Sequence, residues 1–185
     1  MTAARQVLFV QGGGAGTHDE EDAALVDSLQ RGLGDGYEVR YPRMPDEGEP
    51  GYARWSAAVR DEVDDLPDGA LAVGHSIGGT ILVDALARRP PERELSAIVL
   101  LAAPFIGAGG WPADEFELPA DLGARLPQGA RVLVFHGLPD EIVPPSHAEL
   151  YARVIPQARL HLLPGRDHQL NGDLGDVARE ITGDA

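Results

Sequence analysis

The chain has 185 residues, a formal net charge of −15 at pH 7, and neither lysine nor cysteine. The missing lysine weighs against Schiff-base, pyridoxal phosphate and P-loop enzymes, and the missing cysteine excludes disulfides, thiolate metal sites and a cysteine nucleophile. The negative charge disfavours nucleic acid, an anionic membrane surface and acidic substrates as partners, because each would be repelled at long range.

Length and hydrophobic content together predict a globular protein with one core. A hydrophobic fraction of 43% fits an ordinary globular composition, and 185 residues suffice for one core but are few for two. We therefore expect a single domain over residues 1–185. The first apolar run, VLFV, is too short for a signal peptide or a membrane span, which predicts a cytoplasmic protein.

Apolar runs rich in β-branched residues alternate along the chain with stretches of helical period. The predicted strands, in chain order, are Gln6–Gln11, Tyr37–Tyr41, Leu71–Gly74, Ala97–Ala102, Arg131–His136 and Arg159–Leu163. The predicted helices are Glu20–Leu33, Tyr52–Leu66, Ile77–Arg89, Ser146–Val154 and Leu174–Ile181. Continuous apolar strands such as AIVLLAA need cover on both faces, so the pattern predicts an α/β fold with a parallel sheet between two layers of helices.

Two connections differ from the short loops that α/β units usually contain. Residues 41–51, YPRMPDEGEPG, are rich in proline and acidic residues and predict a solvated loop. Residues 104–130 form a much longer connection after the fourth predicted strand, where long loops are often functional, and we expect this loop to lie over the site. Its aromatic residues Trp111 and Phe116 either bind substrate or fill the edge of the core, and the sequence leaves both interpretations open.

The segment Gly74-His75-Ser76-Ile77-Gly78 joins the third predicted strand to the third predicted helix. A G-x-S-x-G motif in this context is typical of a nucleophile elbow, in which glycines let the strand and the helix pass closely around a serine in a strained turn. Five serines and 23 glycines in 185 residues produce only about 0.08 such motifs by chance. We therefore interpret Ser76 as a nucleophile, with an ordinary tight turn as the alternative.

A serine nucleophile needs a base, and the base needs an acid that orients it. The loop after the sixth predicted strand offers His168, and the loop after the fifth offers Asp140 and Glu141. We favour Asp140 as the acid, because the EIVPP that follows it resembles a turn leading into the next helix. The carboxyl ends of parallel strands meet at one edge of the sheet, so these loops can converge on Ser76.

The other histidines fit structural positions better than catalytic ones. His136 ends a strand, where packing or a backbone hydrogen bond explains it, and His147 opens a helix and is expected to be solvated. His75 is expected to point away from the site. His18 lies in the acidic run HDEED, which indicates a charged helix start rather than a metal site, so we expect no metal.

Attack on a carbonyl places negative charge on its oxygen, which needs N–H donors already in place. The predicted donors are the backbone N–H groups of Ile77 and of Gly13 in the loop VQGGGAG, with Gly14 as the second choice. A dinucleotide fingerprint is the competing interpretation of these glycines, but Thr17 stands where its third glycine belongs. We expect neither a nucleotide nor any other cofactor.

Four segments, QGGG, GHSIGG, GLPDEIVP and GRDHQ, resemble the α/β-hydrolase superfamily, and the resemblance extends over nearly the whole chain. The length and the lack of a large cap resemble the small serine hydrolases of the retinoblastoma-binding protein type. The resemblance implies a six-stranded, all-parallel sheet in the order 2-1-3-4-5-6. It also implies that Ser76 is the nucleophile, His168 the base and Asp140 the acid. The implied oxyanion donors are the backbone N–H groups of Ile77 and Gly13. The chain departs from the common pattern at Gln11, where a histidine often stands.

These residues predict a serine hydrolase that cleaves an ester-like acyl bond of a small molecule through an acyl-enzyme. Short-chain or aryl esters are the expected substrates, because the loop 104–130 is too small for a deep acyl tunnel. The same three residues also suit an acyltransferase, a thioesterase, a peptidase or a perhydrolase. A non-catalytic binding module on this fold is the alternative outside enzymes, and the presence of all three residues argues against it.

Overall fold

A six-stranded sheet lies between two layers of helices, and the structure, a computed structural model, describes residues 3–183. The strands are β1 (Arg5–Val10), β2 (Tyr37–Arg40), β3 (Ala70–His75), β4 (Leu95–Leu101), β5 (Arg131–Gly137) and β6 (Arg159–Leu163). The helices are α1 (Glu21–Leu33), α2 (Tyr52–Asp64), α3 (Ser76–Arg88), α4 (Leu122–Arg125), α5 (Ser146–Val154) and α6 (Gly175–Thr182). A 3-10 turn, Leu170–Gly172, lies between β6 and α6.

The strand order is β2-β1-β3-β4-β5-β6 and every neighbouring pair is parallel, which confirms the predicted fold class. The chain runs outward from β1 to β2 and then crosses back to β3 on the other side of β1. The direction therefore reverses between β1 and β3, where Val10 pairs with Gly74 near the carboxyl ends of the two strands. Open α/β sheets bind their ligands at such a switch point.

Apolar side chains cover both faces of the sheet. Leu8 and Val10 pack in one layer with residues of α2 and α3, whereas Val7 and Phe9 pack in the other with residues of α1 and α6. Successive side chains of a strand point to opposite faces, so a sheet covered on both sides needs apolar residues at every position. Burying each of these side chains stabilises the fold by about 1.5–3 kcal/mol.

All the predicted strands and helices are present, and their ends differ from the prediction by no more than two residues. The prediction lacked α4, which has only four residues, and the 3-10 turn after β6. Elements of one turn are too short to show a hydrophobic period, so sequence patterns do not reveal them. Across residues 3–183, no helix combines the length and the apolar character required to span a bilayer.

The proline-rich segment 41–51 packs against the rest of the protein, so the prediction of a solvated loop is wrong for part of it. Met44 is buried in the core beside Trp55. The indole Nε1–H of Trp55 donates to the Pro45 carbonyl oxygen at 2.7 Å. The Glu47 carboxylate accepts a hydrogen bond from Gln11 Nε2, also at 2.7 Å. The segment therefore supports the loop that follows β1.

Candidate active site

Ser76 occupies a tight turn between β3 and α3. Its φ of +50° lies in the left-handed region, which costs a non-glycine residue about 1–3 kcal/mol. A Cβ on Gly78 would lie 1.9 Å from the Gln11 carbonyl oxygen, and one on Gly74 would lie 2.4 Å from the Gly79 Cα. Because both contacts are with backbone atoms, only glycine at these positions lets the strand and the helix approach this closely. The turn has the geometry of a nucleophile elbow.

The loop after β6 brings His168 to Ser76. His168 is 8% exposed, and its Nε2 lies 3.0 Å from Ser76 Oγ. Gly137 at the end of β5 permits this approach, because a Cβ there would lie 1.9 Å from the Arg166 carbonyl oxygen. Within the same loop, the Asn171 N–H donates to an Asp167 carboxylate oxygen at 2.8 Å. The imidazole is therefore placed where it can accept the hydroxyl proton.

The loop after β5 places Asp140 on the other side of the His168 ring. Asp140 Oδ2 lies 2.8 Å from His168 Nδ1, and Oδ1 accepts the N–H groups of Ile142 and Val143 at 2.9 Å each. Burial opposes ionisation of this carboxyl group, but hydrogen bonds from His136, His168 and Val143 outweigh burial and hold the pKa of Asp140 well below its usual range. The resulting carboxylate accepts Nδ1–H and leaves Nε2 as the proton acceptor.

The structure distinguishes between the two candidate acids, Asp140 and Glu141. Asp140 contacts His168, whereas Glu141 is exposed to solvent. The reason is the turn itself, because the N–H groups of the two residues after Glu141 fold back onto Asp140. Only Asp140 therefore faces the imidazole.

The remaining histidines have structural contacts. His136 makes the predicted hydrogen bond to the backbone, since its Nε2 lies 2.8 Å from the Val143 carbonyl oxygen. The prediction that His147 is solvated is wrong: it is buried, and its Nδ1 accepts the Phe105 N–H at 2.8 Å. His18 stacks on a tyrosine ring with a centroid distance of 4.1 Å. Among residues 3–183, no three His, Asp or Glu side chains are arranged to hold a metal ion.

The loop after β1 brings Gly13 against Ile77. A Cβ on Gly13 would lie 3.1 Å from Ile77 Cγ2, and both residues line the cleft that contains Ser76. Within residues 3–183, neither Gly13 nor Ile77 donates its N–H to a protein acceptor. The N–H of Gly14, the second choice, donates instead to the Glu47 carbonyl oxygen at 2.7 Å. Two N–H donors that meet no acceptor within the described residues therefore border the serine.

Ser76 and His168 line a cleft of about 570 Å³, and a smaller apolar pocket of about 270 Å³ lies beside it. The two cavities share three lining residues, which are Pro50, Ile77 and Trp111. Trp111 is 37% exposed and stands between the cavities. Phe116 lines only the smaller pocket and stacks on Tyr52 with ring centroids 4.3 Å apart. The long loop therefore contributes walls to both cavities.

Apart from the two histidines that line the cleft, the charged residues that line these cavities in the described part of the chain are acidic. Glu21 lines the cleft, and Asp114 and Glu115 line the pocket. Among the described residues, no arginine lines either cavity. The site is therefore better suited to neutral or cationic groups than to anionic ones.

Sequence reasoning missed two residues beneath the site, Asp22 and His75. Asp22 lies in the run interpreted as a charged helix start, yet it is fully buried. His75, which was expected to point away, contacts the backbone of His168. One signal was available: Asp22 stands three and seven residues before Leu25 and Leu29, on the buried face of α1. A buried carboxylate needs a partner, but the pattern does not reveal which one.

No protein-family model and no curated protein sequence matches the chain. The ydeN gene product of B. subtilis is 22% identical, with a TM-score of 0.79 over 97% of this chain and 98% of that one. A predicted CIB-like hydrolase from Thermoplasma acidophilum is 17% identical, with a TM-score of 0.70 over 97% and 84% of the two chains. MGS-MChE2, an α/β hydrolase enzyme from the sediment metagenome of the lagoon of Mar Chica, Morocco, is 16% identical, with a TM-score of 0.71 over 98% and 90%. Likeness at these identities shows a shared fold.

Proposed function

We propose that this chain, which has the α/β-hydrolase fold, is a serine hydrolase that cleaves an ester-like acyl bond. The observation that carries the proposal is the hydrogen-bonded series from Ser76 Oγ through His168 to Asp140, with separations of 3.0 and 2.8 Å. A hydroxyl is a weak nucleophile, and an adjacent base with its own orienting acid activates it. The proposed reaction uses no metal and no organic cofactor.

In the first half-reaction, Ser76 Oγ bonds to the acyl carbon while its proton passes to His168 Nε2. The N–H groups of Gly13 and Ile77 stabilise the negative charge that develops on the carbonyl oxygen. The bond between the acyl carbon and the alcohol oxygen then breaks, and the leaving alcohol takes the proton from His168. The Asp140 carboxylate stabilises the transient imidazolium. The product of this half-reaction is an acyl-enzyme on Ser76.

In the second half-reaction, a water molecule gives a proton to His168 Nε2 as its oxygen bonds to the acyl carbon. The bond between the acyl carbon and Ser76 Oγ breaks, and Oγ takes the proton back from His168. The carboxylic acid leaves, and the free enzyme returns. The same residues serve both halves because the base of one step is the acid of the next.

The apolar pocket supports a small-molecule substrate with a short-chain or aryl acyl group. Its volume of about 270 Å³ adjoins the cleft that contains Ser76. Trp111 and Phe116 supply aromatic walls, which favour apolar ligand groups. In this proposal the acyl group enters the pocket and the alcohol group stays in the wider cleft.

We also propose that the chain is one domain and is similar to the small, cap-less serine hydrolases of the retinoblastoma-binding protein type. The match to the ydeN gene product covers 97% of this chain and 98% of that one, which supports a fold without a large cap domain between its strands. The single sheet, which takes strands from nearly the whole chain, supports one domain.

Labelling with a fluorophosphonate tests the proposal without requiring the substrate. The probe should form one adduct, and peptide mapping should place it on Ser76, because the base and the oxyanion donors surround this hydroxyl. Ser76→Ala should remain unlabelled. Ser96→Ala is the matched control and should label like the wild type, since the Ser96 hydroxyl donates to a β3 carbonyl oxygen away from the site. A folded wild-type protein that stays unlabelled contradicts the proposal.

A further inference from the structure

A second carboxylate–imidazole pair lies beneath the proposed catalytic triad of Ser76, His168 and Asp140. It takes no part in the proton transfers described above. Asp22, in the first turn of α1, is 0% exposed, and His75, the last residue of β3, is 1% exposed. His75 Nδ1 lies 2.9 and 3.0 Å from the two carboxylate oxygens of Asp22. Apolar residues of similar size often stabilise a core as well as a buried ion pair does, so this pair calls for a functional explanation.

Three segments of the site meet at this pair. The Asp22 carboxylate accepts the N–H of Gly12 at 2.6 Å, and Gly12 belongs to the loop of the proposed oxyanion donor. His75 directly precedes Ser76 in the nucleophile turn. His75 Nε2 lies 3.0 Å from the carbonyl oxygen of His168. The pair thus contacts the backbone of His168 and the backbone of the loop that follows β1 and carries Gly12 and Gly13, which we call the oxyanion loop. His75 also adjoins Ser76 in the turn between β3 and α3, the nucleophile turn.

Both partners of the His75 ring are hydrogen-bond acceptors. When Asp22 is a carboxylate, neither its oxygens nor the carbonyl oxygen of His168 carry a proton, so both ring nitrogens donate and the ring is an imidazolium. Burial disfavours the charged ring, but the charge and the hydrogen bond of Asp22 outweigh burial and raise the pKa of His75. The hydrogen-bond partners of the ring and the charge of Asp22 therefore both favour an ion pair between Asp22 and His75.

We infer that Asp22 and His75 form a positioning ion pair that holds the oxyanion loop, the nucleophile turn and the backbone of the base in fixed relative positions. The inference rests on the proposed hydrolase function, because position matters here only for that reaction. Gly12 fits the same arrangement, since a Cβ there would lie 3.0 Å from His75 Nδ1 and 3.3 Å from Ser76 Cβ. A larger residue at position 12 would have to displace the His75 ring or the Ser76 side chain by a few tenths of an ångström.

The wild-type protein tests the ion pair directly. In a ¹H–¹⁵N spectrum of the histidine rings at about pH 7, both nitrogens of His75 should be protonated. The His75 signals are assigned in the wild-type protein itself, through correlations from the ring to its own backbone. A neutral His75 with one unprotonated ring nitrogen overturns the ion pair, whether or not any variant folds.

Two variants test the positioning role. Asp22→Asn keeps the side-chain size and an acceptor for the Gly12 N–H but removes the charge. We expect kcat for p-nitrophenyl acetate to fall about 10–100-fold with KM nearly unchanged, because small displacements of donors and nucleophile act on the chemical step. His75→Gln should show a similar loss. The double variant should lose no more activity than the worse single variant, because both residues act through one pair.

Leu29→Ala is the matched control, since Leu29 is fully buried on the same helix as Asp22. It should lower the urea midpoint and leave kcat of the folded protein within about twofold of wild type. If Asp22→Asn and His75→Gln also lose only stability, the pair is merely structural and the inference is wrong. A wild-type protein that fluorophosphonate does not label refutes the proposed function instead, and the spectrum of His75 then still decides the ion pair.

Discussion

Asp140 keeps its negative charge in a buried position because several N–H groups point at it. Ile142 and Val143 donate to Oδ1, while His168 Nδ1 and His136 Nε2 lie 2.8 and 3.2 Å from Oδ2. Hydrogen bonds to the charged form favour ionisation more than burial opposes it here. An ionised acid is what the proposed mechanism needs, because it fixes the tautomer of the base and stabilises the imidazolium.

Replacing Asp140 should affect catalysis far more than replacing its neighbour. Asp140→Asn should lower kcat by up to about 10⁴-fold, because an amide does not hold the base in the required tautomer. Glu141→Gln is the matched control, since Glu141 is exposed, and it should stay close to wild type. Steady-state rates on a p-nitrophenyl ester measure both. If Glu141→Gln were inactive and Asp140→Asn active, Glu141 would be the acid.

The depressed pKa of Asp140 also predicts how stability varies with pH. A carboxyl group whose pKa is lower in the folded protein stabilises the fold above its unfolded value of about 3.9, and this contribution is lost as the pH falls toward the folded value. The free energy of unfolding should therefore differ most between wild type and Asp140→Asn near neutral pH, and the difference should shrink below about pH 4. Urea unfolding across this range measures it. A difference independent of pH would contradict the charge assignment.

At the scale of elements, the segment 104–130 places Trp111 at the rim of both cavities. Ile106 and Trp111 form a β-bridge. The Trp111 N–H donates to the Phe105 carbonyl oxygen at 2.9 Å, and the Gly107 N–H donates to the Trp111 carbonyl oxygen at 3.0 Å. These hydrogen bonds fix the backbone of a short turn within the loop. The backbone of Trp111 is therefore held in place, while its ring remains partly exposed.

Trp111 should therefore affect specificity more than stability. Trp111→Ala should change the relative kcat/KM values for acetate, butyrate and octanoate esters by about 1–3 kcal/mol, with a small change in the urea midpoint. A residue that only filled the core would instead lose about 3–5 kcal/mol of stability and keep the chain-length preference. Trp55→Phe is the matched control, because Trp55 is fully buried. It should lower the urea midpoint and leave the ester preference unchanged.

At the scale of the whole molecule, the charge of −15 and the acidic lining of the cavities act in the same direction. Glu21, Asp114 and Glu115 line the cavities where the proposed substrate would bind, and among the described residues no arginine lines either cavity to offset them. A negative field lowers the local concentration of anionic ligands, and salt screens that field over a Debye length of about 10 Å at 0.1 M. If the chain is the proposed hydrolase, this field should disfavour anionic substrates before any contact forms.

Esters that carry a carboxylate should be poor substrates at low salt. Their kcat/KM should rise as the ionic strength increases from about 0.01 to 0.5 M, because salt screens the repulsion. A neutral ester of the same length is the control and should respond little. The triple variant Glu21→Gln, Asp114→Asn, Glu115→Gln should reduce the salt dependence. An anionic ester that reacts as fast as the neutral one at low salt would contradict this prediction.

The sequence by itself determined the α/β class, the place of nearly every strand and helix, and the turn that carries Ser76. These features are local: an apolar run, a helical period and a pair of glycines around a serine can each be recognised within a window of at most about 18 residues. The strand order followed from the resemblance of four short segments to a known superfamily. That the whole chain forms one domain stays a prediction.

The tertiary structure alone decided which neighbouring groups face one another. It placed Asp140 rather than Glu141 beside His168, and it showed that the Gly14 N–H already has an acceptor. It also paired Asp22 with His75, which are 53 positions apart in the chain. Such contacts depend on how distant segments pack, and a charged residue in an acidic run looks solvated until the fold encloses it. Local patterns specify each segment, whereas the partners of a buried charge are specified only when the segments meet.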